Sequence, residues 1–205
     1  MIELYGLRLS NYYSLIKALL IEKELPFEEV SAPPTQDEDN LARTPMGKMP
    51  SIGVDGKYLS ESLAIVEYLE RLQPEPQMIP SDPFAAGKVM ELVCHIKLDV
   101  ELVARRCLPE LLFNKPVSEE TKQGARKDLA RGMAAVDRIF VGSPYAAGDQ
   151  LTLADFYTYF CFGLASTLSK QVLGEELLQG HDKIVAVMER MAGHPSVARV
   201  EAEKD

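Results

Sequence analysis

Long apolar runs are missing from this 205-residue chain. The longest unbroken one is Ile184-Val185-Ala186-Val187-Met188, far short of a membrane span. Glu3 and Arg8 interrupt the start, which lacks the architecture of a signal peptide, so a cytoplasmic location is expected. Positive charge is also short. The formal charge is −9, with 7 basic and 13 acidic side chains in residues 1–78 and 15 and 18 in residues 79–205. Neither half has the cationic excess that phosphate backbones or anionic lipids require, so neither nucleic acid nor a membrane surface is expected as a partner. Cysteine is scarce. Cys94, Cys107 and Cys161 show neither CxxC nor metal-ligand spacing, and each reads as a small buried hydrophobe in a reducing compartment. No metal site is expected, and with no cysteine before Cys94, neither is disulfide exchange through an N-terminal protein thiol. Internal repeats and low-complexity tracts are absent too. What remains is an ordinary globular composition, 46% hydrophobic and 26% charged, at a length that suits one large domain or two small ones.

Residues 1–78 change period repeatedly. Ile2-Glu3-Leu4-Tyr5 alternates as a strand does, and Leu15, Ile16, Leu19 and Leu20 follow at helical spacing. Pro26 to Val30 reads as a second strand. Ala32 to Thr44 is polar and proline-containing, with one or two helical turns expected around Asp37 to Ala42. Ile52 and Val54 lead into Asp55-Gly56, a favoured hairpin turn, and Lys57-Tyr58-Leu59 returns. A helix from Ser62 to Leu72 carries Leu63, Val66, Leu69 and Leu72 on one face. The order is β-α-β, a linking segment, then β-β-α. A crossover helix makes the first two strands parallel, and the hairpin adds antiparallel pairing. That is the order of a thioredoxin-like sheet, and other α/β folds share it.

Pro74, Pro76, Pro80 and Pro83 mark a linker, placed at residues 79–83, and residues 84–205 read as helix throughout. Phe84 to Leu112 is periodic through Val89, Val93, Ile96, Val100 and Val103, and Pro109 is expected to bend or end it. Ser118-Glu119-Glu120 opens the next helix. Thr152-Leu153-Ala154-Asp155 is an acidic capping box, with Leu151 and Phe156 placed as a hydrophobic staple. A final helix, Asp182 to Met191, is expected to stop at Gly193-His194-Pro195.

Two short segments could carry chemistry. In Gly47-Lys48-Met49-Pro50-Ser51 the proline opens a strand, where it costs no ladder hydrogen bond. If the Met49–Pro50 bond is cis, the backbone of Met49 turns outward and offers its N–H and C=O to an extended ligand. In Ser60-Glu61-Ser62, between a strand and a helix, a serine can cap the helix and the acid suits its dipole. The same groups, a helix N-terminus with a hydroxyl and an adjacent glutamate, can also take a carboxylate and an amine, the two charges of an amino acid.

Pro45-Met46-Gly47-Lys48-Met49-Pro50 followed by Glu61-Ser62-Leu63-Ala64-Ile65 resembles the N-terminal domain of cytosolic glutathione transferases, of a serine-type, bacterial-like kind. Gly148 to Asp155 resembles that family's helix-capping segment, and His194-Pro195-Ser196 falls where the family often has a similar turn, so the likeness runs over the whole chain. It implies an α/β thioredoxin-like N-terminal domain, residues 1–78, and an all-α C-terminal helical domain, residues 84–205. It also implies a homodimeric detoxification enzyme that joins the thiolate of glutathione, its co-substrate, to a small, mostly hydrophobic electrophile. In that likeness Met49, before Pro50, holds the cysteinyl backbone of glutathione. Glu61 and Ser62 hold its γ-glutamyl amine and carboxylate, and Lys48 sits near the glycyl end.

The resemblance places a thiol-activating hydroxyl after the first strand, where a hydrogen bond to sulfur favours the thiolate. Leu9-Ser10-Asn11-Tyr12-Tyr13-Ser14 supplies four hydroxyls. Ser10 best matches serine-type members, Tyr12, Ser14 and Tyr5 compete with it, and either Ser10 or Asn11 could simply cap the helix. The second substrate is expected between Leu7–Tyr13 and the Phe84–Leu112 helix, with Leu102, Arg105 and Arg106 as possible lining. The cation that many members carry near Thr35-Gln36 is missing, as is the Ser-Ser-Cys signature of the maleylacetoacetate isomerase branch. Reduction of a peroxide or disulfide by the same thiolate, and a non-catalytic interaction module, are the alternatives.

Overall fold

A computed structural model describes residues 1–204. Strand β1 (Ile2–Gly6) buries Ile2 and Leu4 in alternation. Ser10 caps helix α1 (Asn11–Glu22), and β2 (Phe27–Ser31) returns parallel to β1. A short helix α2 (Glu38–Arg43) precedes the antiparallel hairpin of β3 (Ser51–Val54) and β4 (Lys57–Ser60). Asp55 and Gly56 take the two positive φ angles, 49° and 75°, that a primed hairpin turn demands. Helix α3 (Ser62–Leu72) follows directly. The sheet order is β2-β1-β3-β4, with β1 parallel to β2 and antiparallel to β3. Both expected pairings are present, and the fold is thioredoxin-like.

Leu4, Leu15, Ile16, Leu19, Ile52, Ile65 and Leu69 form the core between sheet and helices. Each such side chain contributes about 1.5–3 kcal/mol by leaving water. Two lysines, one in α1 and one capping its C-terminus, are also buried. Lys23 donates to the carbonyls of Gln73 and Pro76 at 2.8 and 2.9 Å and pairs with Glu70 at 2.6 Å, tying α1 to the chain beyond α3. Lys17 is only 1% exposed, and its partners belong to the site below.

The helices begin with α4 (Pro83–Cys94), capped by Asp82, whose carboxylate accepts from the Ala85 N–H at 2.8 Å. A π-helical segment, His95–Glu101, continues it into α5 (Leu102–Ala104) and a 3₁₀ turn, Arg105–Cys107. Helix α6 (Leu108–Phe113) then carries Pro109 in its first turn. The expected effect of Pro109 is therefore displaced: the helix is broken just before it, and the ring sits where a missing N–H costs nothing. Ser118 caps α7 (Glu119–Ile139), as its sequence predicts. Gly132 faces the π-helical segment, and a Cβ there would run into the Asp99 carbonyl oxygen. Helix α8 (Leu153–Leu168) opens on the expected capping box. Asp155 is fully buried and accepts from the Thr152 N–H at 2.8 Å and the Ala146 N–H at 2.7 Å.

Helix α9 (Asp182–Ala192) ends near the expected place, but Pro195 opens a further helix, α10 (Pro195–Ala202). The chain forms two compact units. One is Met1–Met78 together with the segment from Gly193 onward, and the other is Ile79–Ala192. The C-terminal segment, expected with the helical domain, thus belongs to the N-terminal unit, because α10 lies on α1. None of the described helices is long and apolar enough to cross a membrane.

Candidate active site

Strand register decides which loops meet. Tyr5 pairs with Ser51, and Ser51 pairs with Ser60. The end of β1, the start of β3 and the end of β4 therefore lie side by side. The segments that enter or leave there are Leu7–Ser10, Lys48–Pro50 and Glu61-Ser62. Gly6 pairs with Ser31, so the Ala32–Gln36 segment starts from the same edge. Four sequence-distant pieces, holding Ser10, Lys48, Met49, Pro50, Glu61 and Ser62, are thus gathered at one end of the sheet.

The β1–β3 register stops at Ser51, which leaves the backbone of Met49 outside that ladder. Pro50 is buried, Met49 is half-buried, and the bond between them is cis. Gly47, at φ 63°, brings this loop so close to the Thr35 carbonyl that a side chain would collide with it. The Gln36 amide donates to the Met46 carbonyl at 3.3 Å from the same side. Lys48 is exposed, and among the described residues no carboxylate pairs with it. Glu61 is exposed and stands at φ 70°, ψ 119° immediately before α3, while Ser62 is buried as that helix's first residue. A helix's first N–H groups point out of its N-terminus, so both residues stand at a place suited to a carboxylate.

The competing hydroxyls differ in what they already do. Tyr5 lies under α2, with Arg43 over its ring at 5.2 Å and Tyr58 edge-on at 5.9 Å, and its hydroxyl donates to Glu3 at 3.1 Å. Burial, helped by Glu3, raises its pKa to about 12. The Ser14 hydroxyl donates to the Arg8 carbonyl at 3.2 Å and is buried. Tyr13 donates to Glu29 at 2.6 Å, and burial followed by that hydrogen bond raises its pKa. Ser10 is different. Its Oγ accepts from the Tyr13 backbone N–H at 3.4 Å, so its own proton is not used in this bond. Ser10 is half-buried, as is Tyr12 beside it on α1.

Glu29 is the residue that sequence reasoning missed. On β2, its two carboxylate oxygens accept from Arg8 Nε at 3.1 Å, Arg8 Nη2 at 2.8 Å, Tyr13 Oη at 2.6 Å and Lys17 Nζ at 2.8 Å. Burial pushes its carboxyl up, but the hydrogen bonds from Arg8, Lys17 and Tyr13 outweigh that and hold it at about 2. Lys17 also pairs with Glu203, whose backbone carbonyl accepts from Arg8 Nη1 at 2.7 Å. The signal available in sequence is an apolar helix face, Leu15 to Leu20, interrupted by Lys17.

A groove of about 530 Å³ lies in the helical unit between Leu98–Arg106 and Asp128–Arg138, and a second is lined by Met1, Ile21 and Phe27 among others. Neither is lined by Ser10, Met49 or Glu61. Among the described residues no group of three or more His, Cys, Asp or Glu side chains could hold a metal.

Comparison with known proteins gives a consistent picture. Residues 4–77 match the family model for the glutathione S-transferase N-terminal domain, and residues 108–204 match the model for the C-terminal domain. A protein of Pseudomonas putida named glutathione S-transferase is 39% identical over 205 residues, covering all of this chain and 93% of its own. The maleylacetoacetate isomerase of Pseudomonas aeruginosa is 31% identical over 119 residues, 57% of this chain and 56% of its own. Among solved structures, a glutathione S-transferase of Methylobacterium radiotolerans in complex with glutathione sulfonate superposes with a TM-score of 0.81 at 22% identity, over 97% of this chain and 93% of that one. A zeta-class maleyl pyruvate isomerase gives 0.79 at 21%, over 99% and 98%. These two likenesses speak to the fold.

Proposed function

The chain belongs to the glutathione S-transferase family, and from that premise we propose that it joins the glutathione thiolate to a small, mostly hydrophobic electrophile, with Ser10 as the thiol-activating residue. One observation carries the reading: the register that gathers Ser10, Met49-Pro50 and Glu61-Ser62 at one end of the sheet. In this reading the N–H and C=O of Met49 pair with the cysteinyl backbone of glutathione as an added strand would. Glu61 and Ser62, with the α3 N-terminus, take its γ-glutamyl amine and carboxylate. Lys48 supplies the charge at the glycyl end that Thr35-Gln36 does not.

Activation follows from hydrogen bonding. The Ser10 hydroxyl accepts one N–H and still has its proton to give, and a donor to the thiolate favours the charged form. Tyr5, Tyr13 and Ser14 have each committed their protons to another acceptor, which supports Ser10 over them. The enzyme holds the two reactants together, and the thiolate does the chemistry. Isomerisation is the weaker reading. The isomerase of P. aeruginosa matches little over half of the chain, and no cysteine stands in Leu9 to Ser14.

Titration calorimetry with glutathione tests the grip, and absence of binding at millimolar concentration would sink the whole reading. Turnover of an aromatic halide, set against a hydroperoxide, tests the reaction. Ser10→Ala is expected to lower kcat/KM about 10- to 100-fold, the worth of one hydrogen bond to a charged group. Its KM for glutathione should change little. We also propose a cytoplasmic homodimer. The exposed Leu72, Leu98 and Leu102 support an apolar contact, and light scattering after size exclusion decides it.

A further inference from the structure

Lys17 and Glu29 are an expensive way to fill the space under α1. Taking the Lys17 charge out of water, with Glu29 half-buried beside it, costs several kcal/mol, and apolar side chains of similar size often serve a fold as well or better. Lys17 is 1% exposed and yet carries a full set of ionic partners, Glu29 and Glu203. What the cluster does that an apolar core could not is hold two other residues. Arg8 is bound through both Nε and Nη2, and Tyr13 through its hydroxyl.

Those two residues flank Ser10. Arg8 lies two positions before it, in a turn closed by the Ser10 N–H donating to the Leu7 carbonyl at 3.0 Å. The Arg8 carbonyl accepts from the Ser14 hydroxyl at 3.2 Å, so both its main chain and its side chain are fixed. Tyr13 lies three positions after Ser10 and gives its backbone N–H to the Ser10 Oγ. The Tyr13 ring is wedged against Gly6, where even a Cβ would stand 2.6 Å from it. A hydroxyl whose lone pair is held by one donor has its proton directed elsewhere, and the direction depends on where that donor sits. We infer that Glu29 is a positioning residue, which sets the direction of the Ser10 hydroxyl by clamping Arg8 on one side of it and Tyr13 on the other. The inference rests on Ser10 being the thiol-activating group. The charged and titratable groups facing Glu29 are Arg8, Tyr13 and Lys17, with Glu203 and Arg199 behind them.

The test reads the pH midpoint of kcat/KM for the electrophile at saturating glutathione, which follows thiol ionisation in the glutathione complex, and the ultraviolet absorbance of the bound thiolate. Tyr13→Phe keeps the ring and removes only the bond to Glu29. Glu29→Gln loosens both clamps, and Tyr13→Phe carries the test where Glu29→Gln fails to fold. Both are expected to move the midpoint up, by as much as about one pH unit for Glu29→Gln, a 10-fold loss of thiolate well below the midpoint. KM for glutathione should stay within about threefold, since Met49 and Glu61 are untouched. In a Ser10→Ala background Tyr13→Phe should move the midpoint no further, because the two act through one hydroxyl. An unmoved midpoint in Tyr13→Phe, or an added shift in the double variant, overturns the inference while Ser10 keeps its role. If Ser10→Ala alone leaves the midpoint unmoved, the assignment of Ser10 fails and the inference with it. A purely structural Glu29 would lower the melting temperature and leave the midpoint in place.

Discussion

Glu61 holds a backbone conformation, φ 70° and ψ 119°, that glycine adopts freely and a glutamate does not. Such a residue costs of order 1–3 kcal/mol and persists where its surroundings impose it. The two demands can be separated by experiment. Glu61→Gly removes the strain together with the carboxylate. Thermal unfolding should show stability unchanged or raised by up to about 1 kcal/mol, after the extra chain entropy of glycine is subtracted. Calorimetry should show glutathione binding weakened about 10- to 100-fold, the worth of a charged hydrogen bond. A stability loss with binding intact would mean that Glu61 serves the fold and not the ligand. Glu29 makes a second prediction at this scale. Its carboxyl is held at about 2 against an ordinary value of 4.5, so the stability it contributes is present above that ordinary value. It is lost as pH falls from about 4.5 toward about 2, where the folded form also takes up its proton. Glu203, lowered first by its hydrogen bond from Lys17, adds in the same direction. Urea midpoints measured down this range should fall less steeply in Glu29→Gln than in the natural chain.

Among the elements, those with local signals are legible in the sequence. Ser118 before Glu119-Glu120 and Thr152 before Asp155 put their caps beside the helices they start, and α7 and α8 begin there. The hairpin follows from Asp55-Gly56 and α3 from its apolar spacing. Three features are not legible, each for a physical reason. The π-helical widening at His95–Glu101 leaves Val93, Ile96, Val100 and Val103 all buried, which a plain helix would do as well. Pro195 reads as a stop because proline ends helices, yet the same ring is equally suited to a first turn, which is its place in α10. Glu29 joins residues 12 to 21 positions away through the sheet, and no spacing rule reaches that far. At the candidate site the residues proposed to hold glutathione stand out as a set in the sequence, and the register brings their loops to one end of the sheet, whereas the choice among hydroxyls needs to know which protons are already committed. The element scale has its own test in Gly132. There α7 approaches the π-helical segment so closely that a methyl group would meet the Asp99 carbonyl, a backbone atom that cannot swing aside. Gly132→Ala should destabilise by about 1–3 kcal/mol despite the better helix propensity of alanine. Gly124, with open space beyond it on the same helix, should gain up to about 1 kcal/mol from the same change.

At the scale of the whole molecule the chain closes on itself. The segment after α9 returns to the N-terminal unit, where Val197 and Val200 are buried and Glu203 reaches Lys17 and Arg8. Helix α10 therefore completes the environment of α1, although the two are the most distant helices in sequence. A chain ended at Ala192 would lose two buried valines, each worth about 1.5–3 kcal/mol, and leave Lys17 with half of its counter-charge. A loss of about 3–6 kcal/mol is a large part of the 5–15 kcal/mol that holds a typical domain folded. Hydrogen exchange locates the damage. The amides of α1 and β2 should lose protection on truncation, while those of α8, set in a different unit, should keep theirs. Glutathione binding should weaken with them, because Ser10 and Arg8 hang from the same helix and strand. Unchanged protection in α1 would show that the N-terminal unit stands without its C-terminal helix, and that the clamp on Arg8 is held by Glu29 alone.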